Sequence, residues 1–128
     1  MTIAFTFPGQ GSQGVGMGKA LAESFATARD VFGEIDEALS QNLSRLMREG
    51  PEAELMLTAN AQPAIMAVSM AIVRILEKDG GFVLARRCSH LAGHSLGEYA
   101  ALAAAGAFTL SDAARLLKAR GEAMQRAV

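Results

Sequence analysis

Ser95 stands at the centre of Gly93-His-Ser-Leu-Gly97, a G-x-S-x-G pentapeptide. In such a motif the serine occupies a tight strand-to-helix turn that lifts its hydroxyl into the open, where it can attack an electrophilic carbonyl. The glycines two positions to either side let strand and helix approach closely where a Cβ would collide. A strand-like stretch from Arg87 to Ala92 precedes the motif and a helical pattern up to Ala105 follows it, the context this chemistry requires. The plain alternative is a glycine-bounded turn with an inert serine.

A serine nucleophile needs a base to take its proton. The sequence holds two histidines, His90 and His94. His94 adjoins Ser95, and neighbouring side chains at a strand end point in different directions. His90 lies five residues back along the same strand. Neither suits the role, so the base is expected from outside these 128 residues, and the segment alone is expected to show no turnover.

Gly9-Gln-Gly-Ser-Gln-Gly14 is open to two readings. It fits the G-x-G-x-x-G fingerprint of dinucleotide binding, which calls for a second strand bearing an acidic residue some 20 positions on. Asp30 and Glu34 lie at about that distance, but Val31, Phe32, Ile35 and Leu39 are spaced as a helix face, and two consecutive helices do not make a βαβ unit. The other reading is an oxyanion hole. Negative charge that develops on a carbonyl oxygen is best stabilised by backbone N–H groups already fixed in place. The residue after the serine, Leu96, supplies one; the loop after the first strand is the one candidate here for the second. A flexible surface loop is the plain alternative.

These residues must be positioned by elements. Thr2 to Phe7 reads as a short strand, followed by the glycine-rich loop to Gly16 and helical patterns to about Leu57, interrupted at Gly50-Pro51. Because the residue before a proline avoids the α region, the next helix is predicted to begin at Pro63 with Gln62 at its boundary. Ala64, Ile65, Val68, Ile72, Ile75 and Leu76 give it an apolar face, its other side is also mostly apolar, and Gly80-Gly81 stops it. After the elbow a helix ends at Gly106, and Thr109 with Asp112 predicts a capping box for a last helix. Its expected core stripe is Ala114, Leu117, Gly121, Met124 and Val128.

Composition bounds the function classes. Hydrophobic residues make up 51% and charged residues 20%, ordinary for a globular domain. Twelve Lys and Arg against 13 Asp and Glu leave a net charge of -1, which argues against nucleic-acid binding by bulk charge. Pro8 and Gly9 end the first apolar run too early for a signal peptide, and no stretch is expected to serve as a membrane span. A single cysteine, Cys88, excludes an internal disulfide and fits a reducing compartment. A soluble, cytoplasmic protein is expected. Cys88 reads as a small buried hydrophobe, the methionines as core filler, and Arg86-Arg87 as a solvated pair or a contact for an acidic partner.

Phe7-Pro-Gly-Gln-Gly-Ser-Gln13 and Gly93-His-Ser-Leu-Gly-Glu-Tyr99, with Gln62-Pro63-Ala64 between them and Arg120-Gly121 beyond, resemble the malonyl-CoA:acyl carrier protein transacylases of fatty acid synthesis. The likeness runs through residues 1–128 in order. It implies the N-terminal portion of an α/β-hydrolase-like acyltransferase domain, short parallel strands flanked by helices, with the ferredoxin-like subdomain and the catalytic histidine of longer family members not in this chain. It further implies Ser95 as the acylated residue, the backbone N–H groups of Gln10 and Leu96 as the oxyanion hole, and Arg120 as partner of the malonyl carboxylate. Gln62, at the boundary of the buried helix, is a candidate to line the pocket, with helix capping as its equal alternative. The substrates would be malonyl-CoA and phosphopantetheinylated acyl carrier protein, with no metal or redox cofactor, no nucleic acid and no membrane.

The placing of Arg120 is compatible with that role. It projects about 60° from the core stripe of its helix, whereas Arg115 points nearly opposite. An arginine at a buried edge calls for an anion, and its planar fork fits a carboxylate; an arginine paired with a structural acid or carbonyl is the plain alternative. Three alternatives remain at this stage: an esterase or thioesterase of the same architecture, an acyltransferase domain of a polyketide synthase, and a non-catalytic piece that binds or self-associates.

Overall fold

A computed structural model describes residues 2–128. The element order is β1 (Ile3–Phe7), α1 (Lys19–Ser24), α2 (Ala26–Leu39), α3 (Leu43–Glu49), α4 (Glu52–Met56), α5 (Thr58–Lys78), α6 (Leu84–Arg87), β2 (Cys88–Gly93), α7 (Gly97–Ala104) and α8 (Leu110–Arg126). This is the α/β architecture expected, with both strands within a residue of their anticipated bounds.

β1 and β2 pair in parallel, with Phe5 opposite Leu91 and Phe7 opposite Gly93. Parallel strands end at the same edge of a sheet, so the loops that follow them emerge side by side. In open α/β sheets this edge is where ligands bind. Phe7 and Gly93 are therefore the last residues of two strands that deliver the glycine-rich loop and the serine elbow to one place.

The core lies between the helices. Val31, Phe32 and Ile35 of α2, Ile65, Met66, Met70 and Val73 of α5, and Leu110, Ala113, Ala114 and Leu117 of α8 are buried together. At roughly 1.5–3 kcal/mol for each large side chain removed from water, this face is the main source of stability. Thr109 caps α8 as predicted, its hydroxyl accepting from the Asp112 N–H at 3.1 Å. Val31, Phe32 and Ile35 lie on a helix, so the strand that a dinucleotide site would need after the glycine-rich loop is absent at that place.

α5 differs from expectation. It begins at Thr58, and Pro63 lies inside it. Proline costs a helix the bond from its own nitrogen to the carbonyl four residues back, here Ala59. Tertiary contacts hold the turn regardless: the Ala59 N–H donates to Gln125 Oε1 of α8 at 2.6 Å, satisfying a donor that helix starts leave without a partner. Gln62 is consequently a fully buried residue of the helix, not a boundary residue. α5 is also 21 residues long with a mean hydropathy of 1.4 over its most apolar window. By length and composition alone it could span a membrane, contrary to the sequence reading, but 61% of that window is buried inside the fold, as in a core helix.

Three predicted core residues are exposed. Met124 and Ile72 are each more than two-fifths exposed, and Val128, beyond the end of α8, is fully so. Ile72 borders an apolar groove of about 280 Å³ between β1 and α5, shared with Phe5, Phe7, Ile65, Val68 and Val73. Ser95 does not line it. Cys88 is half-buried against the core, close to the expected role.

Candidate active site

Ser95 carries the signature of an elbow in its backbone: its φ is 57°, one of two positive values among described residues other than glycine. A left-handed conformation costs a residue with a Cβ of order 1 kcal/mol and persists only where the surroundings impose it. Here they do. The Gly97 N–H donates to the His94 carbonyl at 2.9 Å and the Glu98 N–H to the Ser95 carbonyl at 3.1 Å, which folds the chain directly from β2 into α7. The result is an exposed Ser95 side chain above a buried Leu96.

The flanking glycines are a steric necessity. A Cβ on Gly93 would lie 2.0 Å from the Gly97 carbonyl carbon and oxygen, and one on Gly97 would lie 2.3 Å from the Phe7 carbonyl oxygen. Neither neighbour is a flexible side chain that could yield. Gly93→Ala is expected to cost 3 kcal/mol or more (about the upper end for overpacking), read as a drop in the midpoint of chemical denaturation. An unchanged midpoint would contradict the packing described.

The opening loop is locked to this turn. The His94 N–H donates to the Phe7 carbonyl at 3.1 Å, continuing the sheet by one bond past Gly93. Gln10 sits at the following turn, with the loop tightened by the Ser12 hydroxyl donating to the Gly9 carbonyl and the Gly11 N–H to Gln13 Oε1. Neither the Gln10 nor the Leu96 backbone N–H has an acceptor among the described residues. Both stay available to an external oxygen, and Leu96 adjoins the positive end of α7, which favours negative charge.

Arg120 reaches the site from α8. Its Nη2 donates to Ser95 Oγ at 3.2 Å and its Nη1 to Gln62 Oε1 at 2.7 Å. The guanidinium lies 5.5 Å from the centre of the Tyr99 ring, a cation–π contact. Its reach depends on Gly121. A Cβ there would stand 2.5 Å from Ala59 Cα, so glycine alone lets α8 lie on the first turn of α5 and brings residue 120 beside Gln62. No carboxylate lies within salt-bridge distance of Arg120 among the described residues, where the ion pairs are Arg45–Glu49 and Arg115–Asp112, both exposed. A half-buried cation facing a serine hydroxyl through neutral partners is suited to bind an anionic group there.

Ser95, Arg120 and Gln62 are thus directly linked, and Gln10 joins them through Thr58. Neither histidine hydrogen-bonds Ser95 Oγ: His90 is exposed with its Nδ1 against Ser89 Oγ, and His94 is exposed beside Gly9. Arg86 and Arg87 are exposed, Arg87 lying over the Phe82 ring. Sequence reasoning missed Thr58 and gave no role to Tyr99. Thr58 falls outside the helix that the sequence predicts, which begins at Pro63, five residues after the observed start.

Residues 4–128 match the family model described as "Acyl transferase domain". The chain is 48% identical over 126 residues to the malonyl CoA-acyl carrier protein transacylase of Bacillus subtilis, covering 98% of this chain and 38% of that one. The structure of acyl-carrier-protein-S-malonyltransferase from Bartonella henselae superposes with a TM-score of 0.97 at 60% identity, over all of this chain and 40% of that one. A type II polyketide acyl-carrier protein in complex with its malonyl-transacylase matches through the transacylase at a TM-score of 0.92 and 44% identity, again over 40% of that chain. The segment spans about two-fifths of the length of these relatives. With the family model matching almost the whole of its length, the chain belongs to the acyl transferase domain family.

Proposed function

We propose that the protein carrying this segment transfers a malonyl group from malonyl-CoA to the phosphopantetheine thiol of acyl carrier protein through an ester on Ser95. Ser95 Oγ attacks the thioester carbonyl while a base takes its proton. The Gln10 and Leu96 N–H groups hold the resulting oxyanion, and the CoA thiolate leaves with a proton. The carrier thiol then attacks the Ser95 ester, and the proton returns to Oγ. None of these steps calls for a metal or a redox group. The base is supplied by the part of the protein beyond this segment, because His90 and His94 are both turned to other partners or solvent. Sixty per cent or so of the relatives' length is available to contribute it. The lone half-buried Cys88 suits a reducing cytoplasm.

The observation that carries this reading is Arg120, an arginine with no carboxylate partner among the described residues, whose Nη2 donates to the nucleophile. A hydrolase of neutral acyl groups has no use for a cation there, whereas a malonyl thioester brings a carboxylate two carbons from the attacked carbonyl. The full-length protein, given malonyl-CoA and phosphopantetheinylated carrier, is expected to form malonyl-carrier with little free malonate. Release of malonate as the main product would favour a thioesterase and overturn the transferase reading.

A further inference from the structure

A hydrogen-bonded chain runs through the site. Arg120 Nη1 donates to Gln62 Oε1 (2.7 Å), Gln62 Nε2 donates to Thr58 Oγ1 (2.9 Å), and Thr58 Oγ1 donates to Gln10 Oε1 (2.9 Å). Its direction follows from chemistry. A guanidinium only donates, so Gln62 must present its oxygen to Arg120 and its NH₂ to Thr58. The Thr58 hydroxyl, accepting from Gln62, has its one proton free to give, and it donates to the Gln10 oxygen. One permanent charge thereby orients two amides and a hydroxyl over three elements: α8, the first turn of α5 and the opening loop.

We propose that Thr58 is a positioning residue for acyl transfer, coupling the arginine that faces the nucleophile to the loop whose Gln10 N–H serves as oxyanion donor. This rests on the transferase reading above. Among the described residues, the hydrogen bonds that hold the loop next to Gln10 are otherwise local: the His94 N–H to the Phe7 carbonyl on one side, and the Ser12 hydroxyl to the Gly9 carbonyl and the Gly11 N–H to Gln13 Oε1 around it. Among the described residues, the bond from Thr58 to the Gln10 side chain is thus the one hydrogen bond from that residue to the helical layer. Thr58 is well suited to hold it, because the close approach of α8 at Gly121 and the bond from Ala59 to Gln125 fix the turn from which its hydroxyl projects. Gln62, fully buried, has no freedom to take over. Its Nε2 is already shared between Thr58 and Met124 Sδ.

The test uses Thr58→Val, which keeps the shape and removes the hydroxyl, and Thr58→Ser, which keeps the hydroxyl, in the full-length protein. Losing an oxyanion donor outright costs roughly 10²–10³ in rate, so loosening one is expected to slow Ser95 acylation by about tenfold. The loss should be equal for malonyl-CoA and acetyl-CoA, because both form the same oxyanion, and Thr58→Ser should stay within about twofold of the parent. Gln10→Ala breaks the link from its other end while keeping the backbone N–H. It should show the same loss, and the double variant should be no slower than either single one. A fall confined to malonyl-CoA, additive losses, or a Gln10→Ala enzyme as fast as the parent would overturn the coupling, the last even if Thr58→Val does not fold. In amide NMR spectra the Gln10 backbone signal should move in Thr58→Val and not in Thr58→Ser. That readout needs no turnover, so it separates failure of the relay from failure of the transferase reading.

Discussion

Ser95→Ala is expected to abolish acyl transfer by the full-length protein, lowering it by roughly 10⁴-fold or more, as removal of a serine nucleophile does elsewhere. Stability should barely change. The side chain is exposed, and its loss leaves Arg120 with Gln62 Oε1 and the Tyr99 ring. Alanine at a φ of 57° carries much the same backbone cost as serine, so the unfolding free energy should stay within about 1 kcal/mol of the parent. The pairing of a lost activity with an intact fold is the informative result. Transfer that persisted would move the nucleophile elsewhere. Ser12 and Cys88 are then the residues to examine, although the Ser12 hydroxyl is committed to the Gly9 carbonyl and Cys88 is half-buried at the far end of β2.

Arg120→Ala should act on selectivity more than on rate. Charge-assisted hydrogen bonds to a carboxylate are worth about 1.5–3 kcal/mol each when water is largely excluded. The ratio of malonyl to acetyl loading is therefore expected to fall by roughly 10- to 100-fold, since each 1.4 kcal/mol or so is a factor of ten. Arg120→Lys should recover only part of it. A lysine has no planar fork and cannot hold Gln62 Oε1 and a carboxylate together in the same geometry. Competition between malonyl-CoA and acetyl-CoA, read from the two acyl-enzymes, measures the ratio directly. Equal losses for both donors would remove Arg120 from the recognition of the carboxylate.

Much of this was legible in the residues themselves. Glycine at 93 and 97 around Ser95 announces a close approach that no larger residue permits, and the Cβ positions show why. Thr109 and Asp112 mark the start of α8 because a cap is a local event, decided by a hydroxyl and an amide three residues apart. Arg120 could be placed by angle alone, since helix geometry is regular. What sequence could not supply was tertiary. The extra turn of α5 ahead of Pro63 is held by Gln125 and by the bare face of Gly121, more than 60 residues downstream, and propensity rules see neither. The role of Thr58 disappeared with that turn. Met124 and Ile72 are apolar at helical spacing, which points to the core, but each lies where no described element covers its helix.

The central claim is that Ser95 takes the acyl group at a turn built for it. Its most direct test is to mix the full-length protein with malonyl-CoA in the absence of carrier, quench, and map the modification by intact mass and peptide fragmentation. One malonyl group per chain, on the peptide that contains Ser95 and removed when carrier thiol is added, is the predicted result. A chain that stays unmodified, or one that carries the malonyl group on another residue, would contradict it.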